Sequence, residues 1–307
     1  MPEWRSGRIV DWHKLSEGLS VFRLVPLEAA TFPRFEGGQS IALRRDDCLL
    51  TRKVKEGTEV RYVPDLDADG KQKRGPVTHS YSIASAPFES EQGNYLEFYI
   101  VLERTSEGGP GRFTESLFRI DSEGSDQLDY MERIVGDFTL AKRAAGIEHV
   151  LMVATGTGLA PFVSMVKQLQ FEARGDGVAT QTRYTLLTAN RTYEELAYHK
   201  ELLDIEASKA FDFVYVASVS RPSECDRSDV RLGTGRANNL LRHIFGYPPQ
   251  EPNAIVPQLP RERPLAMLQK RIDPSRTVVL TCGNPAGMAD IEWTASQTGM
   301  RFEKEEW

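Results

Sequence analysis

The chain has 307 residues, of which 40% are hydrophobic and 27% charged, and carries a formal charge of −6. That length favours two domains, and the balance excludes a disordered chain and argues against nucleic acid as the main partner. No run approaches the roughly 20 apolar residues of a membrane span, and the opening "MPEWRSGRIV" lacks a signal peptide's apolar segment, so no integral membrane segment and a cytoplasmic location are expected.

From Trp4 to about Leu140 the chain reads as short alternating segments: "GRIVDWH", "LSVFRLV", "QSIALRR", "HSYSIAS", "YLEFYIVLE" and "DFTL". Turn-forming residues separate them, the grammar of an antiparallel barrel. Only "RFTESLFRI" reads as helical in this half, and Arg44 to Val77, with its charged "DLDADGKQKRG", reads as a long exposed excursion. Within "THSYSIASAP", a tyrosine between two serines suits a flat, partly polar ligand, and equally an ordinary strand.

After Gly146 apolar strands alternate with helices. "HVLMVAT" precedes "APFVSMVKQLQFEA", "RYTLLTA" precedes "EELAYHKELLDIEA", "FDFVYVAS" precedes "GRANNLLRHIF", and "TVVLTCG" precedes "AGMADIEWTASQ". Strands buried on both faces and alternating with helices predict a doubly wound parallel sheet, which binds ligands at the carboxyl ends of its strands. The proline-dense stretch Tyr247 to Pro264 reads as a loop, and Leu140 to Ile147 as the domain boundary.

Chemistry concentrates at these strand ends. In "VATGTGLAPF", Gly156 and Gly158 let backbone approach a phosphate, and the helix beginning near Pro161 offers unpaired N–H groups; a purely structural turn has the same letters. "NRTYEELAY" and "SVSRPSECDR" place Arg191, Ser220 and Arg221 at the next strand ends. A hydroxyl and a cation without an adjacent carboxylate favour NADPH over NADH, since a 2′-hydroxyl calls for an acidic residue instead. Arg236 can add charge, with Arg227 and Arg231 as alternatives, although surface arginines are often only solvated. "TCGNPAGM" puts Cys282 near the nicotinamide end, where it reads as a small polarizable residue rather than a nucleophile, an ordinary buried cysteine being the alternative. Cys48, Cys225 and Cys282 form no metal-ligand or cluster spacing. No metal is expected, and redox chemistry must use a dissociable organic cofactor.

A barrel carrying "HSYSIAS" and "GRFT", followed by an α/β unit carrying "GTGLAPF", "SR" and "CGNPAGM", resembles the ferredoxin–NADP reductase family over nearly the whole chain. The ending "RFEKEEW", with Trp307 last, is similar to the bacterial flavodoxin/ferredoxin–NADP reductase branch with a C-terminal aromatic tail. The resemblance implies an antiparallel β-barrel FAD domain over residues 1–143 and an α/β doubly wound parallel-sheet NADP domain over 144–307. Tyr81 would stack on the flavin and Ser82 would hydrogen-bond near its N5. Around them the resemblance assigns His79, Ser80, Ile83 and Ser85, with Tyr99 and Val101 from the next strand. Gly111, Arg112, Phe113 and Thr114 would sit at the diphosphate, where Arg112 offsets a departure, because His79 stands in place of the family's arginine. On the nucleotide side it assigns Thr155, Gly156, Thr157, Gly158 and Pro161 to the pyrophosphate. Arg191, Ser220, Arg221, Arg227 and Arg236 go to the 2′-phosphate end, and Cys282, Gly283, Asn284 and Met288 go toward the nicotinamide. Trp307 would cover the flavin face opposite Tyr81 as a displaceable lid.

The implied activity is that of a ferredoxin–NADP+ reductase, exchanging hydride between NADPH and FAD and single electrons with ferredoxin or flavodoxin. Carriers would dock on Arg44, Arg45, Arg52, Lys53, Lys71, Lys73 and Arg74. Two other readings stand beside it: an NADH-dependent flavin reductase component feeding a separate oxygenase, and a non-catalytic electron-transfer subunit.

Overall fold

In the computed structural model of the chain, residues 3–56, 59–105, 109–120, 125–175, 181–251 and 254–305 are described. The first part contains β1 (Trp4–Ser16), β2 (Leu19–Pro26), β3 (Ser40–Leu49), β4 (Thr51–Glu56), β5 (Glu59–Pro64) and β6 (Arg74–Ser82). It continues with α1 (Pro87–Gly93), β7 (Leu96–Val101), α2 (Arg112–Phe118), β8 (Gln127–Val135) and α3 (Leu140–Arg143).

Six of these strands form one antiparallel sheet in the order β6-β3-β8-β1-β2-β7. The sheet curls until the chain leaving β6 reaches the far edge, where Ala84 N donates to Glu97 O at 2.8 Å. Alternate side chains point inward, as the period of two requires: Phe22, Leu24, Ile41, Leu43, Phe98 and Tyr130 are fully buried, with α2 adding Phe113 and Leu117. Each such side chain contributes about 1.5–3 kcal/mol by leaving water.

Three expectations for this half need correction. The last strand is "QLDYMERIV" and not "DFTL"; its charged residues mask an alternation in which Leu128 and Tyr130 face the core. Arg44 to Val77 is no bare loop. Its ends extend β3 and β6, and β4 and β5 make a separate antiparallel hairpin whose charges reflect solvent on both faces. A second helix, α1, follows β6: Pro87 presets its first turn and the Glu89 carboxylate accepts from Ala86 N at 2.8 Å.

The second part comprises β9 (His149–Thr155), α4 (Ala160–Gly175), β10 (Arg183–Asn190), α5 (His199–Ser208), β11 (Phe213–Val219) and α6 (Glu224–Ser228). Then come β12 (Leu232–Thr234), α7 (Ala237–Ile244), α8 (Leu265–Arg271), β13 (Thr277–Cys282), α9 (Pro285–Thr298) and β14 (Arg301–Lys304). The strands form a parallel sheet in the order β12-β11-β10-β9-β13-β14. Helices cover both faces. Val150, Met152 and Ala154 of β9 belong to the cluster that includes α4 and α5, while Leu151 and Val153 join the one that includes α7, α8 and α9.

The short helix α1 ties the two sheets together through α4. Lys167 Nζ pairs with Glu89 at 2.7 Å, Phe88 stacks on Phe171 with centroids 4.3 Å apart, and Ser164 Oγ donates to Ser85 O at 2.7 Å. Leu19, Ala84, Tyr99 and Phe138 extend the α4-side core into the first sheet. The two sheets therefore meet with fixed edges, and a cleft forms between them.

Candidate functional site

The cleft has a volume of about 1020 Å³ and runs from the edge of the curled sheet to the carboxyl ends of the parallel strands. On the first side its wall is His79, Ser80, Tyr81 and Ser82 of β6 and Tyr99 and Val101 of β7. Phe113 stacks under Tyr81, with centroids 5.4 Å apart and planes 29° apart, and His79 lies 5.6 Å from Phe113. The Tyr81 hydroxyl is buried with no hydrogen-bond partner. Burial, with the Glu103 carboxylate adding repulsion, raises its pKa well above the ordinary tyrosine value, so it stays protonated.

Other residues expected on this side stand away from the wall. Ile83 is a core residue, and Ser85 Oγ accepts from Glu97 N at 3.0 Å, because the chain turns inward after Ser82. Thr114 is fully buried and its Oγ1 accepts from Glu103 N at 3.1 Å, fastening α2 to the end of β7. Phe113 supports Tyr81 from the core side, Gly111 N donates to Glu103 O at 2.8 Å, and Arg112 is exposed outside the cleft.

The opposite wall is built by two interlocked strand ends. Gly156 has φ of 59°, a left-handed backbone that glycine adopts without strain. A Cβ on Gly158 would lie 2.2 Å from Cys282 O, and one on Gly283 would lie 2.2 Å from Thr155 Oγ1. Asn284 N donates to Thr155 Oγ1 at 2.8 Å, and Asn284 Oδ1 caps α9 by accepting from Ala286 N and Gly287 N. Thr155, Gly156, Thr157, Gly283 and Asn284 line the cleft. Gly158, Pro161 and Met288 do not line it; they hold the turns together from behind. We expect Gly158→Ala to cost about 3 kcal/mol, visible as a lower urea midpoint, while Gly175→Ala, with nothing within 4 Å of the new methyl, leaves it unchanged. An unshifted midpoint for Gly158→Ala would show that the two turns part freely.

Cys282 does not line the cleft either. Its Sγ donates to Glu305 Oε2 at 2.7 Å, and the other carboxyl oxygen accepts from Ser82 Oγ at 2.8 Å. Glu305 is reached because β14 pairs in parallel with β13, and Glu305 N continues that ladder onto Thr281 O at 3.0 Å. The carboxyl is 7% exposed. Burial raises its pKa, although the bonds from Cys282 and Ser82 pull the other way. Burial, then the Glu305 carboxyl, pushes the Cys282 thiol well up, so it is protonated and not a nucleophile. Sequence reasoning missed Glu305; it is one of three glutamates in "EKEEW", which reads as a solvated tail until the register of β14 is known. Trp307 lies outside the described residues.

At the far end, Asn190, Arg191, Ser220 and Arg236 line the cleft. Arg221 is bonded through its backbone N to Arg191 O at 2.8 Å but its side chain is outside the wall, as are Arg227 and Arg231, the latter facing Asp229 at 3.5 Å. Gln250 and Glu251, from the proline-dense segment, also line this end. Among the described residues no group of three or more His, Cys, Asp or Glu could hold a metal ion, and no helix is long and apolar enough to cross a membrane.

These features fit a flavin and a dinucleotide. The unpaired Tyr81 hydroxyl beside a stacked ring suits a flat ring with a polar edge, and the glycine turns whose Cβ positions are filled by backbone leave main-chain atoms bare for a pyrophosphate.

The family described as "Oxidoreductase NAD-binding domain" matches residues 152–243. A ferredoxin–NADP reductase of Azotobacter vinelandii is 28% identical over 225 residues, 67% of this chain and 76% of that protein. The crystal structure of a ferredoxin NADP+ reductase from Neisseria gonorrhoeae with bound FAD and NADP shares the fold, with a TM-score of 0.63 at 19% identity over 98% of both chains. So does the FAD/NAD-binding domain of a nitric oxide dioxygenase from Vibrio cholerae, at 0.60 and 15% over 98% of both chains. With the curled antiparallel sheet in front of the parallel one and a shared cleft that suits both cofactors, the chain is similar to the ferredoxin–NADP reductases and has the two-domain fold of the FAD- and NAD(P)-binding oxidoreductases.

Proposed function

We propose that the chain is an FAD-dependent ferredoxin (flavodoxin)–NADP+ reductase acting in the cytoplasm. The observation that carries this reading is the buried Ser82–Glu305–Cys282 cluster directly behind the Tyr81 wall. A reducing compartment suits three free cysteines, one of them exposed.

A flavin held against Tyr81 would supply the hydride and single-electron chemistry. The chain positions and protonates. Tyr81, backed by Phe113, holds the ring plane, and the Thr155–Thr157 and Gly283–Asn284 turns seat the dinucleotide backbone. Glu305 accepts from Ser82 Oγ behind the cleft wall, burial raises its pKa, and exchange of a proton along that bond would link the carboxyl to the cleft. A carrier protein docks on Arg52, Lys53, Lys71 and Arg74, which are exposed on the β4–β5 hairpin and the approach to β6. Arg45 drops out, since its side chain is 1% exposed and bound to Asp47, Ser125 O and Gln127 O. Arg44 and Lys73 already face Asp46 and Asp65.

The reading is tested by anaerobic titration of the purified protein with NADPH and, on a fresh sample, NADH, followed through the visible flavin absorption. Bleaching by NADPH at lower concentration than by NADH is expected. A second reading, an NADH-dependent reductase component serving an oxygenase, is favoured by the Glu251 carboxylate in the far end of the cleft and by the likeness to the nitric oxide dioxygenase domain; preferential bleaching by NADH selects it. A protein without a flavin band would sink both.

A further inference from the structure

Gln250 and Glu251 line the end of the cleft, in a strap of residues 246–251 and 254–258 that is fastened on both sides of Arg236. On one side, Thr234 and Gln258 exchange two backbone hydrogen bonds of 2.8 and 2.9 Å. On the other, Gln250 N donates to the buried Asn239 Oδ1 at 3.0 Å and Arg242 Nη1 donates to Pro248 O at 3.2 Å. That second anchor is itself fixed. Asp290 is buried and accepts from Asn238 at 2.8 Å and from Arg242, whose guanidinium also lies 4.0 Å from the centre of the Trp293 ring. Tyr247 meets the same ring edge-on at 5.2 Å.

The strap delivers Glu251 to Arg236. Oε1 accepts from Arg236 Nη1 at 2.5 Å and Oε2 accepts from Asn239 Nδ2 at 3.3 Å. Arg236 and Glu251 line the cleft beside Ser220 and Arg191. A carboxylate with two donors on two oxygens is a small copy of how a phosphate would be held there. The contact lies at an exposed end, with Arg236 and Glu251 side chains 63% and 41% accessible, so it is weak enough to exchange.

We infer that Glu251 is an internal competitor for the dinucleotide's 2′-phosphate: it occupies Arg236 until a phosphate displaces it, and so narrows the preference for a phosphorylated over an unphosphorylated adenosine ribose. The inference rests on reading this cleft as the dinucleotide site. The dianion must break the Arg236–Glu251 contact and then sit near the freed carboxylate, whereas a 2′-hydroxyl does neither and can donate to Glu251.

Calorimetric binding of 2′,5′-ADP and of 5′-ADP to the FAD-loaded protein tests this without turnover. Glu251→Gln keeps the shape and the Asn239 bond but removes the charge. It should tighten 2′,5′-ADP by about three- to tenfold and change 5′-ADP by less than about twofold, while Arg236→Ala weakens 2′,5′-ADP. Equal tightening of both ligands, or no tightening of 2′,5′-ADP with Arg236→Ala still harmful, overturns the competitor role and leaves the cleft assignment standing. No binding of either ligand to the wild-type protein removes the cleft assignment and the inference together. Unchanged melting curves for both variants separate these outcomes from misfolding.

Discussion

Glu305→Gln is expected to slow electron exchange with a carrier protein about a hundredfold, the usual loss when a positioned proton donor is removed. The expectation follows from geometry: one carboxyl oxygen is bonded to Ser82 on the cleft wall and the other to a thiol that burial keeps protonated. It also has a pH signature. Burial raises the Glu305 pKa, so the proton is retained above the ordinary carboxylate value of about 4.3 and lost as pH rises through the raised value. The wild-type rate should therefore fall across that range, and Glu305→Gln should be slow and flat. Stability moves with the same sign. The folded state binds the proton more tightly than the unfolded one, so this contribution is present at low pH and fades as pH rises through the folded-state pKa. Stopped-flow rates against pH, with thermal melts alongside, check both; a slow variant that keeps the wild-type pH dependence would reduce Glu305 to a packing role.

Tyr81→Ala is expected to weaken FAD binding by about 2 kcal/mol, roughly thirtyfold in Kd. The ring lies at the cleft surface, supported by Phe113, which is 1% exposed and cannot rotate out to replace it. Tyr81→Phe keeps the stack and removes a hydroxyl that has no protein partner, so it should lose far less. Gel filtration followed by the ratio of flavin to protein absorbance distinguishes them. Full retention of FAD by Tyr81→Ala would place the flavin against another surface.

Much of this architecture was written locally. The alternation of Phe22 and Leu24 requires a strand with one buried face, and the unbroken apolar runs of β9 and β13 require a sheet covered on both sides. Gly156, Gly158 and Gly283 announce turns that no larger residue could make, because the positions of their missing side chains are taken by backbone or demand a left-handed conformation. Strand-end placement of Tyr81, Ser82 and Ser220 follows from the same periodicity.

The sequence by itself thus determined two sheets of different kind and their order along the chain, since each follows from contacts between near neighbours. Only the tertiary structure decided which side chains meet. Glu305 reaches Ser82 across 223 positions, and the register of β14 on β13 puts it there. Glu251 reaches Arg236 because a strap is held by Asn238, Arg242 and Asp290. Cys282 turns from the cleft toward a carboxyl, and Arg45 from solvent into the protein. Charged letters look alike in a tail, a loop or a buried pair; the difference is the desolvation that folding imposes and the partner it supplies.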